Sequence, residues 1–479
     1  MNKQLFSKTL IASLFTFSAS SVFASAFQLA EISSSGLGRA YAGEAAIADN
    51  ASVVATNPAL MSLFKSAQFS NGGILIDSNI DMDGTVTAYA AGVDIAKGST
   101  TADNVIPKAV VPHLYYVQPI DDKFAFGAGM NVNFGLKSEY DADYDAGVFG
   151  GTTDLTTINL NLSGSYRVSQ GLSLGAGVNA IYARAEIERT AGVLATGVRN
   201  LATNPELRQE VVNNVIALEK AGKLPAGTSA KLGAVGGLAG RVNESTVLTH
   251  LEDKTAWAFG WNLGAVYEVN ERNRFGLAYH SKIDIDFKDR SALSLQPNKE
   301  SGAIELYTGN GGLTLHLPEY VEFSGFHQLT DKFAMHYSYK WTRWSRLQDL
   351  DAKYNDVKRT QAFKKEEKYR DNSRIALGAT YNVDDKLTLR AGIAYDEVAA
   401  PQTHASAAIP DTDRTWYSLG ATYKFTPNLS VDFAYAHLRG KKLNFKETQS
   451  AAGGLVNVVG DYKSTATANL YGISMNYSF

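Results

Sequence analysis

Leu470-Tyr471-Gly472-Ile473-Ser474-Met475-Asn476-Tyr477-Ser478-Phe479, the last ten residues of the chain, decide the fold. Tyr471, Ile473, Met475, Tyr477 and Phe479 fall on one side, and Leu470, Gly472, Ser474, Asn476 and Ser478 on the other. A period of two is that of a strand with one apolar face. The alternation recurs upstream, as in Leu429/Val431/Phe433/Tyr435 against Ser430/Asp432/Ala434/Ala436, and in Phe333/Met335/Tyr337/Tyr339/Trp341 against Ala334/His336/Ser338/Lys340/Thr342. Candidate strands lie near 67–80, 108–119, 123–137, 155–168, 171–189, 255–269, 273–288, 312–327, 332–347, 372–383, 386–397, 414–425, 428–439 and 465–479, fourteen in all.

In a soluble sandwich the apolar faces meet each other and strands average about five or six residues. Here many runs reach ten or more, and the face opposite the large apolar residues is rich in Gly, Ala, Ser, Thr and Asn. Strands of that length, apolar outward and small or polar inward, are those of an antiparallel transmembrane β-barrel, which pairs every backbone group by closing on itself. The connections alternate between short turns, such as Val383-Asp384-Asp385-Lys386 and Thr426-Pro427-Asn428, and long loops, as in an outer-membrane barrel.

Composition agrees. The 479 residues are 45% apolar and only 19% charged, with 42 Gly and 24 Tyr, which excludes a disordered chain. The absence of Cys removes thiolate chemistry and Cys-ligated metals, and a net charge of −3 recommends no nucleic-acid partner.

Four segments do not belong to the strands. Residues 1–24 begin with Lys3 and Lys8, continue through the short apolar run Leu10–Phe17, and reach Val22-Phe23-Ala24-Ser25-Ala26, with cleavage options after Ala24 or Ala26. This reads as a secretory signal peptide. Residues 25–66 have small side chains and no sustained period, and are too few to form their own core. They are disordered or fill the lumen of a wide barrel as a hatch. Residues 190–250 form a long insertion in which Asn204 before Pro205 starts a helix, with Leu207, Val211, Val215 and Leu218 on one face until Gly222. The expectation is a helical extracellular loop with an exposed apolar stripe, or equally a loop that packs on itself. Residues 289–312 read as a second long extracellular loop.

The stretch Phe27-Gln28-Leu29 through Ser33-Ser34-Ser35-Gly36-Leu37-Gly38-Arg39-Ala40-Tyr41, then Gly43-Glu44, Ile47-Ala48-Asp49 and Asn57-Pro58-Ala59-Leu60, closely resembles the start of the mature FadL-type outer-membrane long-chain fatty-acid transporters. The likeness continues in Gly151-Thr152-Thr153-Asp154-Leu155, Tyr182-Ala183-Arg184-Ala185, Ile187-Glu188-Arg189, Ile285-Asp286-Phe287-Lys288, Arg374-Ile375-Ala376-Leu377-Gly378 and Ile409-Pro410-Asp411. It covers nearly the whole mature chain and is weakest in the long loops. The resemblance implies a fourteen-strand barrel, residues 67–479, closed by a small helical N-terminal hatch. It also implies passive passage of a hydrophobic ligand through an internal apolar pocket and out through a lateral opening, made by a kink in the third strand.

The resemblance implies site residues position by position. Phe27 matches the hatch residue that lines the pocket, and Ile187 and Leu251 match further lining positions. Arg189 matches the cation that meets the carboxylate, and inward parity with Ser173, Gly175, Gly177 and Asn179 supports its placement. An Arg at the rim facing lipopolysaccharide is the alternative. The second cation aligns to Lys365, although strict alternation turns Lys364 inward. Asn57-Pro58-Ala59 matches a hatch turn held near the kink, and the kink maps to Asn133-Phe134-Gly135, where Val132 stands in place of the family's Ser. Gly264 matches a small residue beside the lateral gap, and Asp396 an acid facing the hatch.

Other motifs carry no chemistry. Gly171-Leu172-Ser173-Leu174-Gly175 has the GxSxG spacing of hydrolases but begins a long strand rather than a strand–turn–helix elbow. Asp141-Ala142-Asp143-Tyr144-Asp145 has Thr152 where a calcium loop needs its bidentate Glu. The eight His show no metal-ligand spacing. The expectation is therefore a non-enzymatic, cofactor-free, monomeric channel in the outer membrane of a Gram-negative bacterium, among outer-membrane lipids and lipopolysaccharide, carrying long-chain fatty acids. Monoaromatic hydrocarbons are the alternative cargo, and a surface adhesin using 190–250 and 289–312 is the alternative class.

Overall fold

The computed structural model describes residues 27–224, 226–231, 239–297, 304–356, 361–451 and 454–479. The signal segment 1–24 lies outside them, as do residues 25 and 26 of the hatch. β1 (Gln68–Ala90) and β2 (Val93–Ser99) are followed by β3 (Ala109–Pro119), β4 (Phe124–Asn131), β5 (Gly135–Glu139), β6 (Thr152–Arg167) and β7 (Leu172–Thr190). After two helices, Val193–Thr203 and Pro205–Lys220, come β8 (Val247–Asn270), β9 (Asn273–His280), β10 (Ile283–Pro297), β11 (Ile304–Leu317), β12 (Tyr320–Gln328) and β13 (Phe333–Thr342). The chain continues through β14 (Asp349–Tyr354), β15 (Gln361–Glu366), β16 (Asn372–Asn382), β17 (Leu387–Asp396), β18 (Arg414–Lys424), β19 (Leu429–Gly440), β20 (Leu443–Ala451) and β21 (Val456–Ser478).

These strands make one closed antiparallel barrel. Neighbours pair round the ring from β1 to β3, β4, β6, β7, β8, β9, β12, β13, β16, β17, β18, β19 and β21, which pairs back to β1. That is fourteen positions, because β5, β10 and β11 continue interrupted strands and β2, β14, β15 and β20 form hairpins above the wall. Among the described residues no helix is long and apolar enough to cross a membrane.

The alternation read at the C-terminus gives the wall its two faces. Tyr471, Ile473, Met475, Tyr477 and Phe479 are exposed outward, while Leu470 and Ser474 are buried inward. Leu162, Val178, Phe259, Leu419 and Phe433 extend the outward apolar belt, which suits lipid rather than water.

Inside lies the hatch, whose short helical turns Ser34–Leu37, Val53–Thr56 and Pro58–Leu63 are almost wholly buried. Ser33 caps the first turn by accepting from Gly36 N, and Asn57 caps the third by accepting from Ala59 N. The hatch backbone touches the wall directly: a Cβ on Gly420 would come within 2.7 Å of Gly38 Cα, so only paired glycines permit the approach.

The two long insertions take definite form. Residues 289–312 are largely regular, since β10 and β11 pair as a hairpin above the wall, and only 298–303 fall outside the described residues. The helix Pro205–Lys220 forms as expected, capped by Asn204, but its stripe is not exposed. Val211 and Val215 are buried with Val193, Leu201, Ile95 and Ala96, because β2 rises beyond the wall to meet the helices, an arrangement local periodicity does not reveal.

Candidate functional site

The wall is broken between β3 and β5. β4 leaves the ladder after Asn131 and the chain resumes as β5 at Gly135, paired only with β6. β3 pairs with β4 from Leu114 to Pro119, while Ala109–His113 retain only β1 as a neighbour. Pro112, which has no N–H to donate, sits in that unpartnered stretch, as edge strands permit. Its position is a sequence signal for the break that the strand pattern alone did not yield.

The first residues of the hatch lie against the break. Leu29 N donates to Asn133 O at 2.8 Å, Gly135 N donates to Phe27 O at 2.9 Å, and Gln28 bridges Phe134. Phe134 is also held from β6, where Thr157 Oγ1 donates to its carbonyl at 2.6 Å and accepts from its N–H at 3.3 Å. Val132 has no hydroxyl, and Thr157 supplies the side-chain hydrogen bonds here; sequence reading missed it because it acts from the neighbouring strand.

Phe27 is buried edge-on to Trp344 at 4.9 Å, and Trp344 in turn meets Phe134 and Tyr369. This apolar cluster extends through Leu136, Ile181, Ile285 and Phe287. Phe287 then lines a cavity of about 30 Å³ together with Ile187, Leu251, Leu313 and Ala352. The volume holds a water or two, not an acyl chain, so the apolar track is packed shut in this conformation.

Arg189 lies at the outer end of this track, buried, with Nη1 donating to Thr152 O at 2.8 Å and Glu188 O at 2.7 Å and Nη2 donating to Thr153 Oγ1 at 2.9 Å. Phe363 packs beside the guanidinium. Lys365 turns inward and ion-pairs with the buried Glu447, whereas Lys364 is more exposed, 3.7 Å from Asp349. Strict alternation, which pointed to Lys364, does not hold this far from the wall. Arg189 and Lys365 share two acidic neighbours, Glu447 and Glu367, neither of which the sequence singled out. Glu367 lies just after β15 and is 1% exposed, its carboxyl accepts no hydrogen bond among the described residues, and burial pushes it up to about 8.

The remaining residues belong to the hatch contact. Asn57 Nδ2 donates to Ala45 O at 2.7 Å and to Ala265 O on β8 at 3.1 Å. Pro58 and Ala59 press on Gly175 of β7, and Gly264 of β8 abuts Asn57. The Asn57-Pro58-Ala59 turn thus rests on β7 and β8, two and three positions round the barrel from β4, and the Pro58–Leu63 turn that it opens reaches β4 through Met61, which lies against Gly127. Asp396 lies between Arg414, 3.2 Å away, and Arg374, 3.9 Å away, whose Nη2 donates to Ala40 O of the hatch at 2.9 Å. A second network joins hatch to wall, with Arg39 pairing with Glu44 and Asp49, and Asp49 with Arg390 on β17.

Residues 15–479 match the model of a family described as "Outer membrane protein transport protein (OMPP1/FadL/TodX)". The chain is 57% identical to outer membrane protein P1 of Haemophilus influenzae, over 99% of both chains. It is 40% identical to the long-chain fatty acid transport protein of Escherichia coli O6:H1, over 100% of this chain and 99% of that one. The crystal structure of a FadL homologue from Pseudomonas aeruginosa superposes with a TM-score of 0.73 at 23% identity, covering 95% of this chain and 99% of that one, a likeness of fold. A closed fourteen-strand wall, a lumen filled by the N-terminal segment and a match along the whole barrel place this chain in the OMPP1/FadL/TodX family, as an outer-membrane transporter of hydrophobic compounds.

Proposed function

We propose that the channel takes up long-chain fatty acids by passive diffusion, the carboxylate meeting Arg189 and Lys365 while the tail occupies the apolar track past Ile187, Leu251 and Phe287. The observation that carries this reading is the pair of inward cations at the outer end of an apolar cluster that runs to the wall break. An ionised head needs such partners to leave water. Each methylene placed in the track is worth about 0.8 kcal/mol.

Exit is lateral. Phe27–Leu29 hold Asn133–Gly135 by two backbone hydrogen bonds, and withdrawal of that hatch segment frees the gap between β3 and β5. The tail's path opens only if Phe27 leaves Trp344, since the resting cavity is too small for it. The channel works as a monomer surrounded by outer-membrane lipid and lipopolysaccharide, and needs no cofactor.

The test is uptake of labelled oleate by intact bacteria lacking their own transporter. The unaltered chain should restore it and Arg189→Ala should weaken it. Toluene accumulation without oleate uptake, in cells holding a folded barrel, would transfer the assignment to monoaromatic hydrocarbons, for which two inward cations have no use.

A further inference from the structure

The two cations of the head-group region do not wait unoccupied. Lys365 is ion-paired with Glu447, which lies on β20 and is itself buried. The second oxygen of Glu447 accepts from Ala407 N at 2.8 Å, and the carbonyl of Ala407 accepts from Tyr140 Oη at 2.7 Å. The carboxylate is thus held from both sides, and its placement against Lys365 is a built feature. Arg189, by contrast, spends its donors on two backbone carbonyls and a threonine hydroxyl. Its charge is left facing Glu447 and Glu367 at longer range.

Glu367 sharpens the count. Among the described residues its buried carboxyl has neither a hydrogen bond nor an ion pair. A carboxyl in such surroundings holds its proton, since ionising it there would leave a charge without a partner. One resident carboxylate then stands among two cations, and it already has the lysine.

We propose that Glu447 is a resident carboxylate in the head-group site, so that a ligand's carboxylate binds Lys365 by exchange with it and Glu447 sets how strongly the channel holds an anionic head. This inference rests on the fatty-acid reading above. It makes Glu447 a specificity-determining residue: its charge disfavours anionic heads relative to neutral ones of equal length. A bound acid is thereby held weakly enough to move on, which a conducting site requires.

The experiment is binding of labelled dodecanoate and of dodecanol to the full-length barrel in lipid nanodiscs, comparing the unaltered protein with Glu447→Gln. The glutamine keeps an acceptor for Ala407 N–H and removes the rival charge. Dodecanoate should bind about tenfold more tightly, the size of one charge-assisted hydrogen bond, with dodecanol unchanged. If Glu447→Gln does not give a heat-modifiable barrel, Glu447→Asp, whose shorter side chain cannot hold Lys365 and Ala407 together, should show a smaller rise in the same direction. Dodecanoate bound equally or more weakly by the folded variant would overturn this inference alone. No dodecanoate binding by either protein, with toluene bound by both, would overturn the fatty-acid reading and this inference with it.

Discussion

Gly264 of β8 and Asn57 of the hatch are so close that a Cβ at residue 264 would fall inside the contact distance of Asn57 Oδ1. That oxygen caps the Pro58–Leu63 turn through Ala59 N, and the amide nitrogen of the same side chain bonds Ala45 O and Ala265 O. One hatch asparagine therefore holds its own segment and the wall together, and the wall makes room for it by having no side chain at Gly264.

Gly264→Ala should accordingly displace Asn57 and loosen the hatch without breaking the barrel. Overpacking of this kind costs about 1–3 kcal/mol. In planar bilayers the variant should show more frequent ion-conducting openings than the unaltered channel, while keeping its heat-modifiable mobility. Unchanged conductance would mean that the hatch does not depend on this contact.

Glu367 makes stability depend on pH. Its carboxyl titrates at about 8 in the folded chain against 4.5 in the ordinary state, so between these values the folded form binds the extra proton. Stability should fall as pH rises from about 4.5 to about 8 and level off above that. Glu367→Gln removes the titration, so its thermal unfolding midpoint should exceed that of the unaltered protein by more at pH 9 than at pH 5. Parallel midpoints at the two pH values would refute this assignment.

Asp396 is the only carboxylate within 4 Å of Arg374 among the described residues, and it pairs with Arg414 as well. Asp396→Asn leaves the buried Arg374 without its counter-charge, while Arg414 keeps Asp411 at 3.6 Å, and should destabilise the barrel by about 3–5 kcal/mol. Adding Arg374→Met should recover part of the loss, because removing both partners of a buried pair is less damaging than removing one. Urea titrations of the refolded barrel followed by gel mobility would measure it, and a double variant no more stable than Asp396→Asn would contradict the pairing.

Much of this was legible in the order of residues. Alternation along Leu470–Phe479 and its counterparts determined strands, which face meets lipid, and the number of barrel positions, since a strand's side chains alternate whatever its neighbours are. Asn204-Pro205 located a helix, and the break at Asn133–Gly135 coincides with a glycine. What alternation could not supply is anything created by closure. Thr157 serves Phe134 from the next strand, Glu447 reaches Lys365 across 82 residues, and Gly264 meets Asn57 across 207 positions of sequence. The placement of Asn57-Pro58-Ala59 against β7 and β8 is of the same kind. Periodicity is local, set by the backbone of each residue and its neighbours. Register and ring closure instead depend on all the strands together, and only they decide which charges share the lumen.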